Sequence, residues 1–213
     1  MIVVHHLNNS RSQRILWLLE ELGVDYEIKQ YQRDPKTMLA PPSLYSVHPL
    51  GKSPVITDAD STIAESGAIV EYIVSRYGNG KLVPAPDTPE YLRYTYWLHY
   101  AEGSAMPPLL LNLIFTRFGI GDSSAMDGFI APQIKLHYDY IENELSKNTW
   151  FVGEEFTAAD IQMSFPLELF ANGSQDIESR PHIKEFLTRI HERPAYKRGL
   201  EKGGQYDFAS SIE

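Results

Sequence analysis

The sequence predicts an α/β domain followed by an all-helical domain. Strand-like patterns lie within the first 64 positions, and helical periodicity dominates after a proline-rich segment at 83–89. Because the two kinds of pattern are separated along the chain, they favour two domains over one interleaved sheet. We therefore expect an α/β domain at 1–80, a linker at 81–88 and an all-helical domain at 89–213.

The first domain opens with a strand, a helix and a second strand. Ile2-Val3-Val4 is a β-branched run that ends before two asparagines, and residues 26–31 alternate apolar and polar side chains. Between them, four apolar residues recur with helical spacing before Gly23, namely Ile15, Leu18, Leu19 and Leu22. A β-α-β unit of this kind favours a right-handed crossover between parallel strands.

Further short strands and helices complete the prediction. The strand candidates are residues 54–57 and 62–64, and a helix at about 65–77 ends at Gly78. The later helix candidates are 89–118, 125–146, 158–171, 180–191 and 194–202. The segment before the third of these indicates a capping box, with Thr157 as N-cap and the Asp160 carboxylate reaching back to it. Phe156 is expected to pack on Ile161 as a hydrophobic staple.

The composition excludes several classes of function. The chain has 28 acidic and 19 basic residues, a formal charge of −9 that repels phosphate backbones, so we expect no nucleic-acid partner. No window resembles a transmembrane helix, and the N-terminus does not resemble a signal peptide, so we expect a cytoplasmic protein with no membrane partner. With no cysteine, the chain has no thiolate nucleophile of its own, and any thiol must come from a ligand. His5 and His6 point to opposite faces of a strand, so we expect no metal site.

A polar loop joins the first strand to the first helix. Its sequence is Leu7-Asn8-Asn9-Ser10-Arg11-Ser12-Gln13-Arg14. A helix start that follows a strand gathers unpaired N–H groups and the positive end of the helix dipole, which favours a bound anion. The same serines suit an ordinary N-cap, and the loop alone favours that simpler interpretation.

A second polar segment is His48-Pro49-Leu50-Gly51-Lys52-Ser53-Pro54-Val55-Ile56. Gly51 allows a tight turn, and Pro54 opens a strand where its missing donor costs nothing. If the Ser53–Pro54 bond is cis, the Ser53 backbone faces outward and can pair with an extended peptide ligand. The alternative is an edge-strand proline in the common trans form.

A third segment, Ala64-Glu65-Ser66-Gly67-Ala68-Ile69, begins a helix. Glu65 and Ser66 lie where backbone N–H groups are unpaired, a setting that suits the carboxylate and ammonium of a ligand. A routine helix start with an acidic first turn explains the segment equally well.

Taken together and in this order, the three segments resemble the glutathione transferase superfamily over nearly the whole chain. The resemblance is strongest to bacterial and fungal members with an HPLG(K/R)SP turn and an ESG helix start, and it implies a thioredoxin-like first domain. It implies a cis Pro54, with the Ser53 backbone pairing with the cysteinyl amide of glutathione. Glu65 and Ser66 would hold the γ-glutamyl end, with Lys52 and Asn9 close to the peptide.

The resemblance also suggests which side chain activates the thiol. In serine-type members the hydroxyl lies four residues before the first-helix arginine, and Ser10 has that spacing to Arg14. Tyrosine-type members use a position that Asn8 occupies here, and its amide is a hydrogen-bond donor. The order of preference is Ser10, then Asn8, then Asn9 or Ser12. Ser10 would act as a donor that stabilises the thiolate, not as a base.

The implied function is that of a detoxifying glutathione S-transferase. It would be a cytoplasmic homodimer that takes glutathione as co-substrate and conjugates it to a small hydrophobic electrophile. The alternatives are a glutathione-dependent peroxidase or reductase, and a non-catalytic glutathione-binding or assembly module of the same fold. The electrophile is expected in an apolar cleft between the domains, with candidate lining residues Tyr100, Met106, Leu109 and Leu110.

Overall fold

A mixed four-stranded sheet organises the first part of the chain. The computed structural model describes residues 1–119, 124, 126–173 and 177–210. The strands are β1 (Ile2–Leu7), β2 (Tyr26–Tyr31), β3 (Val55–Asp58) and β4 (Ser61–Ala64), in the order β2-β1-β3-β4. β1 and β2 are parallel, whereas β1–β3 and β3–β4 are antiparallel. This sheet, with the helices that follow, confirms the thioredoxin-like fold and the β-α-β start.

Helix α1 (Ser12–Leu22) connects the two parallel strands and fills the core beside them. Its residues from Ser12 to Leu19 are buried, because the helix contacts β1 on one side and other helices elsewhere. Gly23 ends α1 with φ 67°, a left-handed conformation that glycine adopts without a steric penalty. Helix α2 (Ser66–Tyr77) follows β4 and ends at Gly78.

The last helix, α8 (Pro194–Gly203), packs on α1. A Cβ at Gly199 would lie 3.2 Å from the backbone of Trp17, so the missing side chain permits this close approach. The chain thus forms one compact unit of residues 1–83 and 190–210, and a second unit that begins at Pro84 and includes the helices up to Arg189. The domain ranges drawn from the sequence remain a prediction. The packing adds that residues 190–210 contact the first unit.

The second unit is helical. Its helices are α3 (Pro89–Tyr100), α4 (Met106–Arg117), α5 (Ala131–Leu145), α6 (Ala158–Gly173) and α7 (Pro181–His191), the last of which extends past Arg189. The single helix expected at 89–118 is interrupted by a π-helical turn at Ala101–Ala105. Pro107 and Pro108 follow that turn and have no N–H to donate to the preceding carbonyls, which accounts for the interruption. The helix expected from residue 125 begins outside the described residues, and Met126–Ile130 forms a second π-helical turn.

Before α6, Asp160 reaches back to Thr157 as the predicted capping box requires, and the Asp160 N–H donates to the Thr157 carbonyl at 3.1 Å. The predicted N-cap role of the Thr157 hydroxyl stays a prediction, because that hydroxyl donates to the Asp160 carboxylate. The Asp160 carboxylate accepts hydrogen bonds from the Thr157 N–H (2.7 Å) and the Thr157 hydroxyl (3.1 Å). It also accepts from the Phe151 N–H at 2.8 Å, a partner that the local pattern does not reveal. Phe156 packs edge-on against Trp150, with ring centroids 4.9 Å apart. Its expected contact with Ile161 stays a prediction.

Across the described parts of the chain, every helix is too short or too polar to cross a bilayer.

Candidate functional site

The register of the sheet brings the three polar segments to one end of it. Val55, at the start of β3, pairs with His5 near the end of β1 and with Ala64 at the end of β4. The loop after β1, the Ser53–Pro54 turn before β3 and the Glu65–Ser66 start of α2 therefore lie together where these strands end or begin. This end of the sheet is here termed its polar edge. Helices α1 and α2 both begin there, so the positive ends of two helix dipoles are at this edge.

Ser10 belongs to a buried chain of hydrogen bonds. Its Oγ lies 2.7 Å from the Ser12 Oγ and accepts from the Ser12 N–H at 3.2 Å. The Ser12 Oγ lies 2.9 Å from the His6 Nδ1 and accepts from the Leu7 N–H at 3.2 Å. Burial lowers the pKa of His6 to about 4, so the imidazole is neutral at physiological pH. Ser10 is therefore held by its hydrogen bonds to Ser12, and only 4% of its surface is exposed.

The two asparagines before Ser10 make different contacts. The Asn8 Oδ1 accepts from the Arg33 N–H at 2.9 Å, which leaves the donor end of its amide available. Asn9 adopts a left-handed conformation with φ 49°. Its amide is engaged with Asp207, donating to the carboxylate at 2.6 Å and accepting from the Asp207 N–H at 2.8 Å. The Arg33 guanidinium donates to the carbonyls of Asn8 and Asn9 and fixes the path of the loop.

The turn before β3 has the predicted cis peptide bond between Ser53 and Pro54. The Ser53 hydroxyl donates to the His5 carbonyl at 2.8 Å, which joins the turn to β1. Gly51 has φ 57°, and a Cβ there would lie 2.8 Å from the Tyr45 ring, so the turn requires glycine. Lys52, between Gly51 and Ser53, is exposed.

Glu65 and Ser66 lie at the first turn of α2 with opposite exposures. Glu65 is exposed and has φ 70° and ψ 118°, an uncommon backbone conformation for a residue with a side chain. Ser66 is buried, and its Oγ accepts from the Arg14 guanidinium at 2.9 Å. The buried Arg14 therefore links α1 to the start of α2 and places a positive charge between the two helix N-termini.

The chemistry of this edge suits an extended, anionic, thiol-bearing peptide. Exposed donors, two helix N-termini and buried arginine favour negative charge, whereas Glu65 supplies an acceptor for an ammonium group. In the part of the chain described, no group of three or more His, Asp or Glu side chains is placed to hold a metal ion.

Three residues at this edge were not assigned as site residues from the sequence. They are His6, Arg14 and Arg33, which hold Ser12, Ser66 and the loop carbonyls. The sequence signal for Arg14 is a charged residue at the start of the apolar run Ile15–Leu19, since a charged side chain among buried residues needs a partner. His6 had only its position on a strand, and nothing local indicates Arg33.

The residues predicted to line the electrophile cleft lie in the second unit. Tyr100, Met106 and Leu109 are buried, and Leu110 is 42% exposed. The Tyr100 hydroxyl lies 2.7 Å from the Nδ1 of His137. His137 also lines an apolar cavity of roughly 210 Å³ beside Pro107, Leu111 and Phe129. The first three residues therefore belong to the helical core, and their place in a cleft stays a prediction.

The fold and the polar edge of the sheet define a thioredoxin-like unit joined to a helical unit. The family model of the glutathione S-transferase N-terminal domain matches residues 1–75, and that of the C-terminal domain matches residues 131–194. A curated relative, Glutathione S-transferase 3 of Schizosaccharomyces pombe, is 39% identical in an alignment 219 residues long. The alignment covers 95% of this chain and 88% of the relative. This chain belongs to the glutathione S-transferase superfamily.

Solved structures agree with this assignment. A crystal structure of a glutathione S-transferase from Actinobacillus pleuropneumoniae has a TM-score of 0.90 and 38% identity, covering 99% of this chain and 96% of the other. A glutathione transferase from Phanerochaete chrysosporium, crystallised in complex with oxidized glutathione, has a TM-score of 0.80 and 26% identity, covering 95% and 96%.

Proposed function

We propose that this protein is a glutathione transferase that stabilises the thiolate of glutathione and conjugates it to small hydrophobic electrophiles. The observation that carries the proposal is the convergence of Ser10, Ser53 and Glu65 at one edge of the sheet. A family relative that is 39% identical carries the name glutathione S-transferase, and a related structure holds oxidized glutathione.

Glutathione would lie along this edge as an extended peptide. The Ser53 backbone, beyond the paired register of β3, would pair with the cysteinyl amide, with Pro54 fixing the turn. Glu65 and Ser66 would hold the ammonium and carboxylate of the γ-glutamyl end at the start of α2. Lys52 and Asn9 would lie close to the rest of the peptide, Asn9 through its backbone while its amide holds Asp207.

Thiol activation would be electrostatic. A free thiol has a pKa of about 8.5, and each unit by which the site lowers it is worth about 1.4 kcal/mol. A hydrogen bond from the Ser10 hydroxyl to sulfur, supported by the α1 dipole, favours the thiolate over the thiol. The proton leaves to solvent, and the thiolate attacks the electrophile. Asn8 is the second candidate because the donor end of its amide is free of the Arg33 contact.

We propose further that the protein acts in the cytoplasm as a homodimer. Several apolar side chains along α4 are exposed, namely Leu110, Leu111, Leu113 and Ile114. An apolar row of this kind on a helix favours cover by another surface. Sedimentation equilibrium measures the association state directly.

The test is the thiolate absorbance of enzyme-bound glutathione as a function of pH. We expect the wild type to lower the thiol pKa by about 2 units, and Ser10→Ala to return most of that shift. Ser146→Ala, an exposed serine of the second unit, is the control and should behave as wild type.

Each outcome assigns the role differently. If only Asn8→Ala returns the pKa, the function stands and Asn8 is the activating residue. Bound glutathione with an unshifted pKa would support the non-catalytic binding module, and absence of binding would refute the proposed function. Turnover of a hydroperoxide in preference to an activated aryl halide would make the protein a peroxidase instead.

A further inference from the structure

The guanidinium of Arg33 is bound to the main chain of the loop that carries Ser10. Its Nε donates to the Asn8 carbonyl at 3.1 Å, and one terminal nitrogen donates to the Asn9 carbonyl at 3.2 Å. The other terminal nitrogen donates to the Met38 carbonyl at 2.9 Å. Three carbonyls therefore hold this planar group in one orientation, with its positive charge against the two peptide groups that lead into Ser10.

The charge of Arg33 is not neutralised within the part of the chain that the structure describes. Its acceptors are neutral carbonyls, and no carboxylate of the described residues lies within ion-pair distance of it. Burial and the nearby charge of Arg11 lower the pKa of Arg33, but a guanidinium stays protonated at neutral pH. The Asp207 carboxylate is bound to the Asn9 side chain, whereas Arg33 is bound to the Asn9 carbonyl. A half-buried positive charge without a carboxylate favours an anion bound nearby.

The peptide group between Asn9 and Ser10 connects this charge to the proposed thiol site. The peptide is trans, so its N–H points in the direction opposite to the carbonyl that Arg33 binds. Among the described residues, the Ser10 N–H donates to no other group, although Ser10 itself is buried. Buried N–H groups without an acceptor are rare in proteins, so this one is a donor available to a ligand.

A charged donor on the carbonyl strengthens the hydrogen bond that the N–H of the same peptide makes. Hydrogen bonds in a chain polarise one another, and those from an ionised donor are about twice as strong as neutral ones. The direction of the Ser10 N–H is fixed by the backbone and does not depend on how the hydroxyl proton is turned. The Ser10 N and Oγ are separated by two carbon atoms, so one sulfur atom can accept from both.

We propose that Arg33 is a positioning residue for thiol activation, which holds and polarises the Asn9–Ser10 peptide so that the Ser10 N–H donates to the thiolate of bound glutathione. This inference rests on the proposed function and adds to it a main-chain donor and the charge behind that donor. Arg33 acts through the peptide group and does not itself contact the sulfur. No covalent bond of the protein changes, and the thiol proton goes to solvent.

The experiment measures the pKa of bound glutathione, from thiolate absorbance, in a series at position 33. Arg33→Gln keeps a hydrogen-bond donor without the charge and should raise that pKa by about one unit, a tenfold loss of thiolate at pH values below it. Arg33→Lys keeps the charge and should stay within about half a unit of the wild type. Lys29→Gln is the matched control, because it removes an exposed positive charge that lies beside the Tyr31 ring, four residues before Arg33. It should leave the pKa unchanged.

The affinity for S-methylglutathione separates loss of the charge from damage to the loop. This ligand has no thiol to ionise, so Arg33→Gln should bind it as the wild type does. Glutathione itself should bind up to about tenfold more weakly to Arg33→Gln, at a pH between the bound and the free thiol pKa. Equal weakening of both ligands with an unchanged thiol pKa would show that Arg33 only supports the loop, and would overturn the inference.

The wild type provides a measurement that does not depend on the folding of any variant. In nuclear magnetic resonance spectra of the glutathione complex, the backbone amide resonance of Ser10 should shift with the pKa of the bound thiol. An amide resonance that does not follow the thiol overturns the inference, even if Arg33→Gln fails to fold. If Ser10→Ala raises the thiol pKa and Arg33→Gln does not, only this inference fails. An unshifted thiol pKa in the wild type overturns the proposed function and this inference with it.

Discussion

Glu65 has the backbone conformation that costs most among the proposed glutathione contacts. Its φ of 70° lies in the region that favours glycine, and its side chain is exposed, so burial of that side chain does not compensate for the strain. Such residues cost of the order of 1–3 kcal/mol and cluster at ligand sites. The position therefore supports a role in binding over a role in stability.

Replacing Glu65 by glycine and by alanine separates these two roles. Both changes remove the carboxylate, and we expect each to weaken glutathione binding about tenfold, the value of one charge-assisted hydrogen bond. Only glycine relieves the backbone, so Glu65→Gly should be more stable than Glu65→Ala by about 1 kcal/mol. Calorimetry and urea unfolding measure the two effects. Unchanged affinity in both variants would remove Glu65 from the proposed site.

At the residue scale, the sequence predicts local backbone features better than it predicts which distant side chains contact each other. The loop, the turn and the helix start that contain Ser10, Ser53 and Glu65 were predicted from local patterns, because each has its own backbone chemistry. The roles of these three residues came from the family resemblance and stay a prediction. The bond from Arg14 to Ser66 spans 52 positions, and that from Asn9 to Asp207 spans 198. Local patterns contain no information about which distant side chain forms a hydrogen bond with a given residue. These two pairs could therefore be identified only from the structure.

The start of α6 shows how an element is fixed by one buried side chain. Asp160 is fully buried, and its carboxylate accepts from Thr157 and from the Phe151 N–H, which lies outside the helix. Burial raises the pKa of Asp160 to about 6, against the effect of these hydrogen bonds. The carboxylate is therefore still ionised at neutral pH, and it joins the helix start to the preceding loop.

Asp160→Asn should destabilise the second unit by about 2–3 kcal/mol at pH 7.5. An amide has one acceptor oxygen, so its NH₂ group would face the N–H donors of Thr157 or Phe151 and leave one of them buried and unsatisfied. Chemical unfolding followed by circular dichroism measures the change. Glu155→Gln, an exposed carboxylate in the same loop, is the control and should stay within about 0.5 kcal/mol of wild type. Equal losses in both variants would contradict the structural role of Asp160.

Helix and strand existence was predicted more accurately than helix continuity. β2 was found at the residues expected, whereas the expected helix at 89–118 contains a π-helical turn before Pro107. Apolar periodicity continues through such a turn, so a pattern of spacing does not reveal it. The two prolines are the local signal, since a proline inside a helix leaves a carbonyl unpaired.

For the whole molecule, the chain leaves the first unit after Val83 and returns to it at Ile190. The amphipathic pattern of α8 predicts a packed helix but not its partner, because any apolar surface would satisfy it. Gly199 and Gly203 are four residues apart and share one face, which permits close helix contact. Gly203 also packs beside His6, so α8 covers the His6 end of the hydrogen-bonded chain that contains Ser10 and Ser12.

Removal of α8 tests whether the stability of the first unit depends on residues 190–210. A chain ending at Glu192 loses the edge-on contact of Tyr196 with the fully buried Trp17. It also loses both hydrogen bonds from the Arg193 guanidinium to the Glu21 carboxylate, at 2.5 and 2.9 Å. We expect a loss of at least about 3 kcal/mol, the cost of removing one large buried aromatic side chain. Urea unfolding followed by tryptophan fluorescence measures the loss.

The control is Asp207→Ala in the full chain, which keeps α8 and removes the hydrogen bond from the Asn9 amide to the Asp207 carboxylate. It should lose about 1 kcal/mol or less, because that contact is exposed. If the chain ending at Glu192 unfolds at the same urea concentration as the full chain, α8 contributes nothing to the first unit. If the truncation and Asp207→Ala lose equally, the contact between Asn9 and Asp207, and not the helix, holds the two ends of the chain together.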